Sequence, residues 1–538
     1  MKKIISLCLV AVMLLSAMIV GVAAEDPAPT VSVWNGTDVS TSLSGTGMEA
    51  DPWLIQSAAD LKYFADSVNA NHNSTGGKTY EGEFVKVTVD IDLGGHKWTP
   101  IGYREKTVFL GTFDGDGHTI SGLSNFENPD GTATVAAGDG ISYRNGFFGG
   151  VGTIKSHNAN QTAAATTDTT IKNFTLTGKM TYTATGHGVT GGAPFVAAAL
   201  IGHVNQDNYT GTTKVYITNV TVDVDITVTG GFGSGAIMGN VVGIANGAVF
   251  TNVVNNGDLT VNANNSTYNP TGAFAGRAEN VAFVNCVNNG NVSFKTEKND
   301  NQTRVGGFVG QMYKKQLDQY LTFENCVNNG NVTAESTNAS ANIVCAGGFL
   351  GNVYYNCGSS THTWTDGTTA WRDYKVTIKN CANTGTITTK VPAAVENKTS
   401  TGGFVGTTYE GTKGASNNGG GFKLIGCANT GTINGKDEGR SSDFIGAVYT
   451  DKAANYDIEV KNCVGAGALT GFVALKDWKE AYKGSEGDNA KAAQKRVNAI
   501  VKGNANTGDN TTLVVAMVAV LALGTAFVVS KKVTVRAR

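Results

Sequence analysis

Short runs of β-branched and aromatic residues, broken by Asn-Gly, Asn-Asn or Gly-Gly, fill most of the chain. Such runs read as strands, and the breaks as tight corners where Asn and Gly tolerate positive φ. Three stretches depart from this pattern. Leu61, Phe64, Ala65 and Val68 fall at i, i+3, i+4 and i+7, with Ser57 and Asp60 in a capping-box arrangement ahead of them, so a short amphipathic helix is expected there. Leu475, Trp478 and Tyr482 share one helical face near the other end. Two long apolar runs, Ile4–Val22 and Leu513–Val529, flank everything else.

The runs repeat. Phe283-Val-Asn-Cys286-Val-Asn-Asn-Gly290-Asn-Val292 returns as Phe323-Glu-Asn-Cys326-Val-Asn-Asn-Gly330-Asn-Val332, then around Cys381-Ala-Asn-Thr-Gly385, Cys427-Ala-Asn-Thr-Gly431 and Cys463. Weaker copies start at Ile171, Ile217 and Phe250. A second motif alternates with the first: Gly272-Ala-Phe-Ala-Gly276, Gly306-Gly-Phe-Val-Gly310, Gly347-Gly-Phe-Leu-Gly351 and Gly402-Gly-Phe-Val-Gly406. One unit cannot bury its apolar face alone, but stacked units pair every strand with the coil above and below and align like residues. The expected fold is all-β: a right-handed parallel β-helix solenoid with an N-terminal capping helix. A β-propeller has blades of similar length and is the rival architecture.

Composition narrows the function. Gly, at 70 of 538 residues, is nearly twice its ordinary share, which suits a turn-rich stack. A net charge of -2 supplies no electrostatic attraction for nucleic acid, so no nucleic-acid partner is expected. Of 8 Cys, five recur in the first motif and are expected to stack inside the solenoid as small buried hydrophobes. Their spacings of 40, 55, 46 and 36 residues are too wide for a zinc knuckle, and the seven His are scattered. No metal or other cofactor is expected, and no motif of nucleophilic or nucleotide chemistry is present.

The ends suggest an address. Lys2 and Lys3, the apolar run to Val22 and the small residues Val22-Ala23-Ala24 form a secretory signal with cleavage expected after Ala24. Leu513–Val529 meets the length of a membrane-spanning helix, and Lys531, Lys532, Arg536 and Arg538 after it place the C-terminus inside. The order Thr507-Gly508, polar step, apolar stretch and basic tail resembles the cell-wall sorting signal of Gram-positive surface proteins. That resemblance implies a sortase cut between Thr507 and Gly508 and attachment to peptidoglycan. The usual Leu-Pro pair is Asn504-Ala505 in this chain, and a retained single-pass anchor is the alternative.

The Gly-Gly-Phe-Val-Gly units resemble the GLUG motif of bacterial surface proteins. The opening Gly45-Thr-Gly-Met-Glu-Ala-Asp51-Pro-Trp-Leu-Ile-Gln-Ser57 and the stretch from Asp90 through Trp98-Thr-Pro-Ile-Gly102 to Asp114-Gly-Asp-Gly-His118 resemble the cap and first coils of that family. The resemblance covers roughly residues 33–470 and implies an adhesin-like β-helical domain with no established catalytic set. The expected organisation is a signal peptide at 1–24, a leader and cap start at 25–56, a capping helix and first coils at 57–170, and repeated coils at 171–470. A C-terminal cap and polar stalk at 471–503, then a sorting-like motif, transmembrane helix and basic tail at 504–538, complete it.

Two groups carry candidate chemistry. Asp90 and Asp92 alternate with apolar neighbours and Asp114 and Asp116 sit in a Gly-rich turn, a pattern that could serve a glycosidase or hold calcium but also marks a solvated strand face and an ordinary corner. Aromatic residues gather in insertions after the Gly-Gly-Phe-Val-Gly strands: Tyr313 and Tyr320, then Tyr354, Tyr355, Trp364, Trp371 and Tyr374, then Tyr409. Insertions at one point of successive coils emerge on one side, often the binding face of a solenoid, and rings there can stack on sugars. Tyr313, Tyr320, Tyr354, Trp364, Trp371 and Tyr374 are therefore the candidate ligand contacts. The expected function is a cell-surface adhesin or glycan-binding display protein, with host or microbial surface polymer as partner. A carbohydrate-active enzyme and a structural spacer are the alternatives on the same scaffold.

Overall fold

The computed structural model describes residues 31–465, apart from 72–75, 104–106, 127–143, 156–161, 164, 185–194, 206–210, 234, 299–301, 315–319, 342, 356–373, 411–420, 437–439, 450–457, 462 and 464. Among these residues the chain is mostly strand, with one α-helix, α1 (Ala58–Asn69). The strands form one sheet of 24 and two sheets of eight, and a separate antiparallel pair joins Ile154–Lys155 to Thr162–Ala163.

A single coil shows the plan. It runs through Val281–Val284, Val287–Asn288 and Val292–Thr296 in the long sheet, then Gln302–Gly306 and Val309–Lys314 in the two eight-stranded sheets. Each strand pairs in parallel with its equivalents one repeat before and after, so Phe283 stands between Phe250 and Phe323, and Val309 between Ala275 and Leu350. Pairing between repeats, instead of within a blade, gives the β-helical arrangement and excludes the propeller.

Stacking like on like builds the core. Phe250, Phe283 and Phe323 stack with ring centroids 4.8 and 4.9 Å apart. The phenylalanines of the second motif, Phe274, Phe308, Phe349 and Phe404, form a second column with steps of 4.5, 4.7 and 5.0 Å. The two columns meet edge to face, as at Phe283 and Phe308 (78° between ring planes), the arrangement the ring quadrupole favours. Cys286, Cys326, Cys381, Cys427 and Cys463 make the expected buried thiol column beside them, and each of Cys286, Cys326, Cys381 and Cys427 donates to the carbonyl two residues earlier.

The asparagines divide into two ladders. Asn255, Asn288, Asn328, Asn383 and Asn429 are buried; each amide donates to the next Oδ1 at 2.7 to 2.9 Å, and the last donates to Asp443. Each also donates to the carbonyl of the glycine two residues on, such as Gly290 and Gly330, so a polar group sits in the core with its donors used. The second ladder, Asn173, Asn219, Asn252, Asn285, Asn325 and Asn380, lies at the corner just before the cysteine position, which Phe174, Val220 and Val253 fill in the first three copies, and holds φ between 50 and 60°. The expected positive φ at Asn and Gly corners is present, and these angles say which residue of each repeat takes it. In the cysteine repeats positive φ belongs to the asparagine before Cys, replaced by Gly426 in one copy, and not to Gly290, Gly330, Gly385 or Gly431, while Gly36, Gly47 and Gly247 in other Asn-Gly and Thr-Gly pairs do adopt it. Gly290, Gly330, Gly385 and Gly431 are required by proximity: a Cβ on each would lie 1.9 to 2.0 Å from the preceding coil's glycine carbonyl.

At the N-terminal end α1 closes the stack. Ser57 caps it, its Oγ accepting from the Asp60 N–H at 3.2 Å, while the Asp60 carboxylate reaches the Gln56 N–H. Leu61, Phe64, Ala65 and Val68 are buried as expected, with Phe64 against Phe109 and Phe113. Among the described residues no helix is long and apolar enough to cross a membrane. The signal segment, the expected C-terminal cap at Leu475, Trp478 and Tyr482, the stalk, Thr507, Gly508 and the apolar run Leu513–Val529 all lie outside the described residues.

Candidate functional site

The second motif folds each coil back on itself. Strands of the first eight-stranded sheet, such as Gln302–Gly306, Val344–Gly347 and Thr399–Gly402, enter a turn at the motif phenylalanine. The chain then returns along Val309–Lys314, Leu350–Tyr355 and Val405–Glu410 in the second sheet. The two sheets thus form a stack of arches. Glycine permits the tightness at the bend: a Cβ on Gly306 would lie 2.0 Å from the Val309 carbonyl, and one on Gly310 2.2 Å from the Thr271 nitrogen.

Within the arches the filling changes along the stack. Val196, Ile237 and Ile244 form an apolar cluster with the half-buried Tyr268. In the following coils the same register positions become polar: Ile244 gives way to Arg277, Gln311, Asn352 and Thr407, all buried. Arg277 Nε lies 3.6 Å from Glu279 Oε1. The fully buried Arg304 sets its guanidinium 5.2 Å from the Tyr268 ring centroid and donates to Gln302. Tyr268 donates its hydroxyl to Gln311 Oε1, and Gln311 Nε2 donates to Asn352 Oδ1 at 3.3 Å.

Near the ends of the returning strands tyrosines share one register position. Tyr313 pairs in register with Tyr354, Tyr354 with Tyr409 and Tyr409 with Tyr449. The next position holds Lys314, Tyr355 and Glu410. Immediately beyond these strand ends come segments 315–319, 356–373, 411–420 and 450–457, so the four insertions leave from equivalent points of successive coils.

The six candidate ligand contacts divide among three places. Tyr313 and Tyr354, expected within insertions together with Tyr409, are strand residues of the column. Tyr320 and Tyr374 stand at the other end of their insertions, where the chain re-enters the long sheet. Tyr320 is half-buried, its carbonyl accepts from Val281 N–H at 3.2 Å, and Lys214 Nζ lies 5.7 Å from its ring centroid. Tyr374 opens the strand Tyr374–Lys379. Trp364 and Trp371 lie outside the described residues. Tyr449 is not among the candidates, although the pattern holds a signal for it: each column tyrosine follows the last glycine of its motif by three residues, Gly310, Gly351, Gly406 and Gly446.

The acidic group on the first coils is bound up in local contacts. Asp90 Oδ1 accepts from Thr119 N–H and pairs with His118 Nδ1 at 3.0 Å, and Asp92 accepts from Gly94 N–H. Asp114 pairs with Lys172 at 3.1 Å and Asp116 with Lys86 at 2.8 Å. Among the described residues no group of three or more His, Cys, Asp or Glu is placed to hold a metal ion.

Fold and register define a β-helical repeat protein. No family model matches the chain. It is similar to halomucin of Haloquadratum walsbyi, 30% identical over an aligned stretch of 171 positions that covers 27% of this chain and 2% of that much longer relative. Among solved structures it is similar to a Bacteroides ovatus chain described as a candidate immunoglobulin A1 protease, at 16% identity and a TM-score of 0.40, covering 72% of this chain and 86% of that one.

Proposed function

We propose that this protein is a surface-displayed, GLUG-like right-handed β-helix that binds extracellular glycan, held at the cell by its C-terminal segment. In this reading the signal ending at Ala24 exports the chain. The polar stalk and the apolar run Leu513–Val529 then hold it, with Thr507-Gly508 available to a sortase that would join it to peptidoglycan. The observation that carries the reading is the common exit of four insertions from equivalent strand ends, each strand carrying a tyrosine next to its exit and the second insertion carrying Trp364 and Trp371. A rigid rod presenting one lateral face suits adhesion, because a long repetitive face meets a repetitive polymer at several points and gains from multivalency. The test is a glycan and cell-wall-polymer array probed with soluble 25–503 and with the Trp364→Ala, Trp371→Ala double variant. Binding by the parent that is lost or sharply weakened in the variant is the expected outcome; a parent that binds no glycan rejects the reading.

A further inference from the structure

We infer that Asn434 is a site of spontaneous covalent modification: in the folded protein its side-chain amide is lost to the neighbouring Gly435 nitrogen and the position turns to aspartate and isoaspartate, while the Asn-Gly pairs held by the stack are preserved. The inference is independent of the glycan-binding reading.

The chemistry needs only the chain and water. Gly435 N attacks Asn434 Cγ and gives up its proton, the Cγ–Nδ2 bond breaks, and Nδ2 leaves as ammonia, so a five-membered imide remains. Water then opens the imide at either carbonyl. Opening at Cγ gives aspartate; opening at the main-chain carbonyl gives isoaspartate, in which the backbone runs through Cγ and is longer by one carbon. Glycine favours ring closure because its Cα carries no side chain to keep its nitrogen away.

Among the described residues Asn precedes Gly at positions 35, 145, 246, 256, 289, 329 and 434. Six of these are held or buried. Asn145 and Asn246 lie in the interior. Asn35 Oδ1 accepts from the Thr37 N–H, the Thr37 hydroxyl and the Asp38 N–H, which closes a tight turn. Asn256, Asn289 and Asn329 form an outer ladder: Asn289 donates to Asn256 at 2.9 Å, Asn329 to Asn289 at 2.8 Å, and the Thr384 hydroxyl to Asn329 at 2.8 Å. Their glycines are fixed as well. Gly257, Gly290 and Gly330 are buried, and a Cβ on each would lie 1.9 to 2.1 Å from a backbone carbonyl. Ring closure must swing the glycine nitrogen onto the side chain, and a glycine wedged against a neighbouring backbone cannot swing.

Asn434 differs on each count. It is exposed, and its side chain has no hydrogen-bond partner among the described residues. Gly435 is half-buried, and the atom nearest a Cβ there would be the Ser441 hydroxyl oxygen, a side-chain atom where the ladder glycines meet backbone. The strand Ile433–Asn434 pairs with Ile387–Lys390, and among the described residues with no other, so this rung is held from one side. The ladder asparagines must wait for their coil to open before they react, whereas Asn434 need not.

The experiment keeps the purified full chain in warm, mildly alkaline buffer, with and without urea, and follows each Asn-Gly pair by peptide mass spectrometry. Trypsin releases Leu424–Lys436, whose fragments separate Asn434 from Asn429. An isoaspartyl methyltransferase with S-adenosylmethionine counts the isoaspartate. In the folded chain Asn434 is expected to convert at least about tenfold faster than Asn35, Asn289 or Asn329, and in urea all four are expected to agree within about threefold. Asn434→Gln, whose longer side chain would have to close a six-membered ring, is expected to remove most of the isoaspartate from the folded protein and to leave thermal unfolding unchanged. Equal rates at Asn434 and Asn289 in the folded chain, faster conversion at Asn35, or an Asn434 that stays intact while the urea-unfolded chain converts overturns the inference.

Discussion

Individual residue types in this chain have one task per position, and the task is visible only when the coils are stacked. Asn285 and Asn288 stand three residues apart in the same motif. The first turns a corner at a φ of 54°, and the second donates into the core ladder. The sequence makes both legible as repeated, but only the stack separates their roles. The same applies to Gly290, whose requirement is the carbonyl of the coil before it. The cysteines have a chemical consequence. Burial pushes the thiols of Cys286, Cys326 and Cys427 well above their ordinary value. In the unfolded chain they ionise from about pH 8.5, so above that pH the unfolded state sheds protons that the folded state keeps. Stability is therefore full below that pH and falls as pH rises, by up to about 1.4 kcal/mol per pH unit for each such thiol. Urea titrations between about pH 7.5 and 10 should show the fall, shallower in Cys326→Ala than in the parent. A profile that is equally steep in both would contradict it.

Elements of this protein are readable to different degrees. Helix α1 is legible because its period, its cap and its four apolar positions agree with one another and with the open coil beneath. The repeat strands are legible through recurrence. The arches are not, because Gly-Gly-Phe-Val-Gly shows where the chain bends without showing that the returning strand joins a different sheet. Nor can the polar filling be foreseen: Arg304, Gln311 and Asn352 sit in runs that look like any edge strand, and their burial comes from the opposing sheet. The tyrosine column is half legible, since Tyr313, Tyr354 and Tyr409 stand out for their rings, while their common offset from glycine gains meaning only from the register. For α1 the packing makes a direct prediction. Phe64→Ala empties a site enclosed by Tyr80, Phe109 and Phe113 and should cost about 3 to 5 kcal/mol locally. Because each coil touches only its neighbours, the loss is expected as faster amide exchange in residues 53–126, with exchange near 281–405 little changed. Uniform acceleration along the chain would contradict that.

For the whole molecule, register decides what can be added or removed. Val281, Leu321 and Val376 occupy one position in three successive coils. Deleting residues 321–375 therefore removes one full turn and brings Val376 to the place of Leu321. The shortened chain should keep its β circular dichroism and a cooperative melt. A deletion of one residue more shifts inward-facing residues to the outside and is expected not to fold. Loss of fold in both deletions would show that the coils depend on contacts beyond their neighbours.

The buried asparagine ladder makes every coil boundary from Asn255 to Asn429 chemically the same. A gene encoding such a stack can lengthen by unequal crossing-over between its own repeats. The new copy meets a boundary it already fits, so the length of the rod can drift between strains while each join stays as sound as the last.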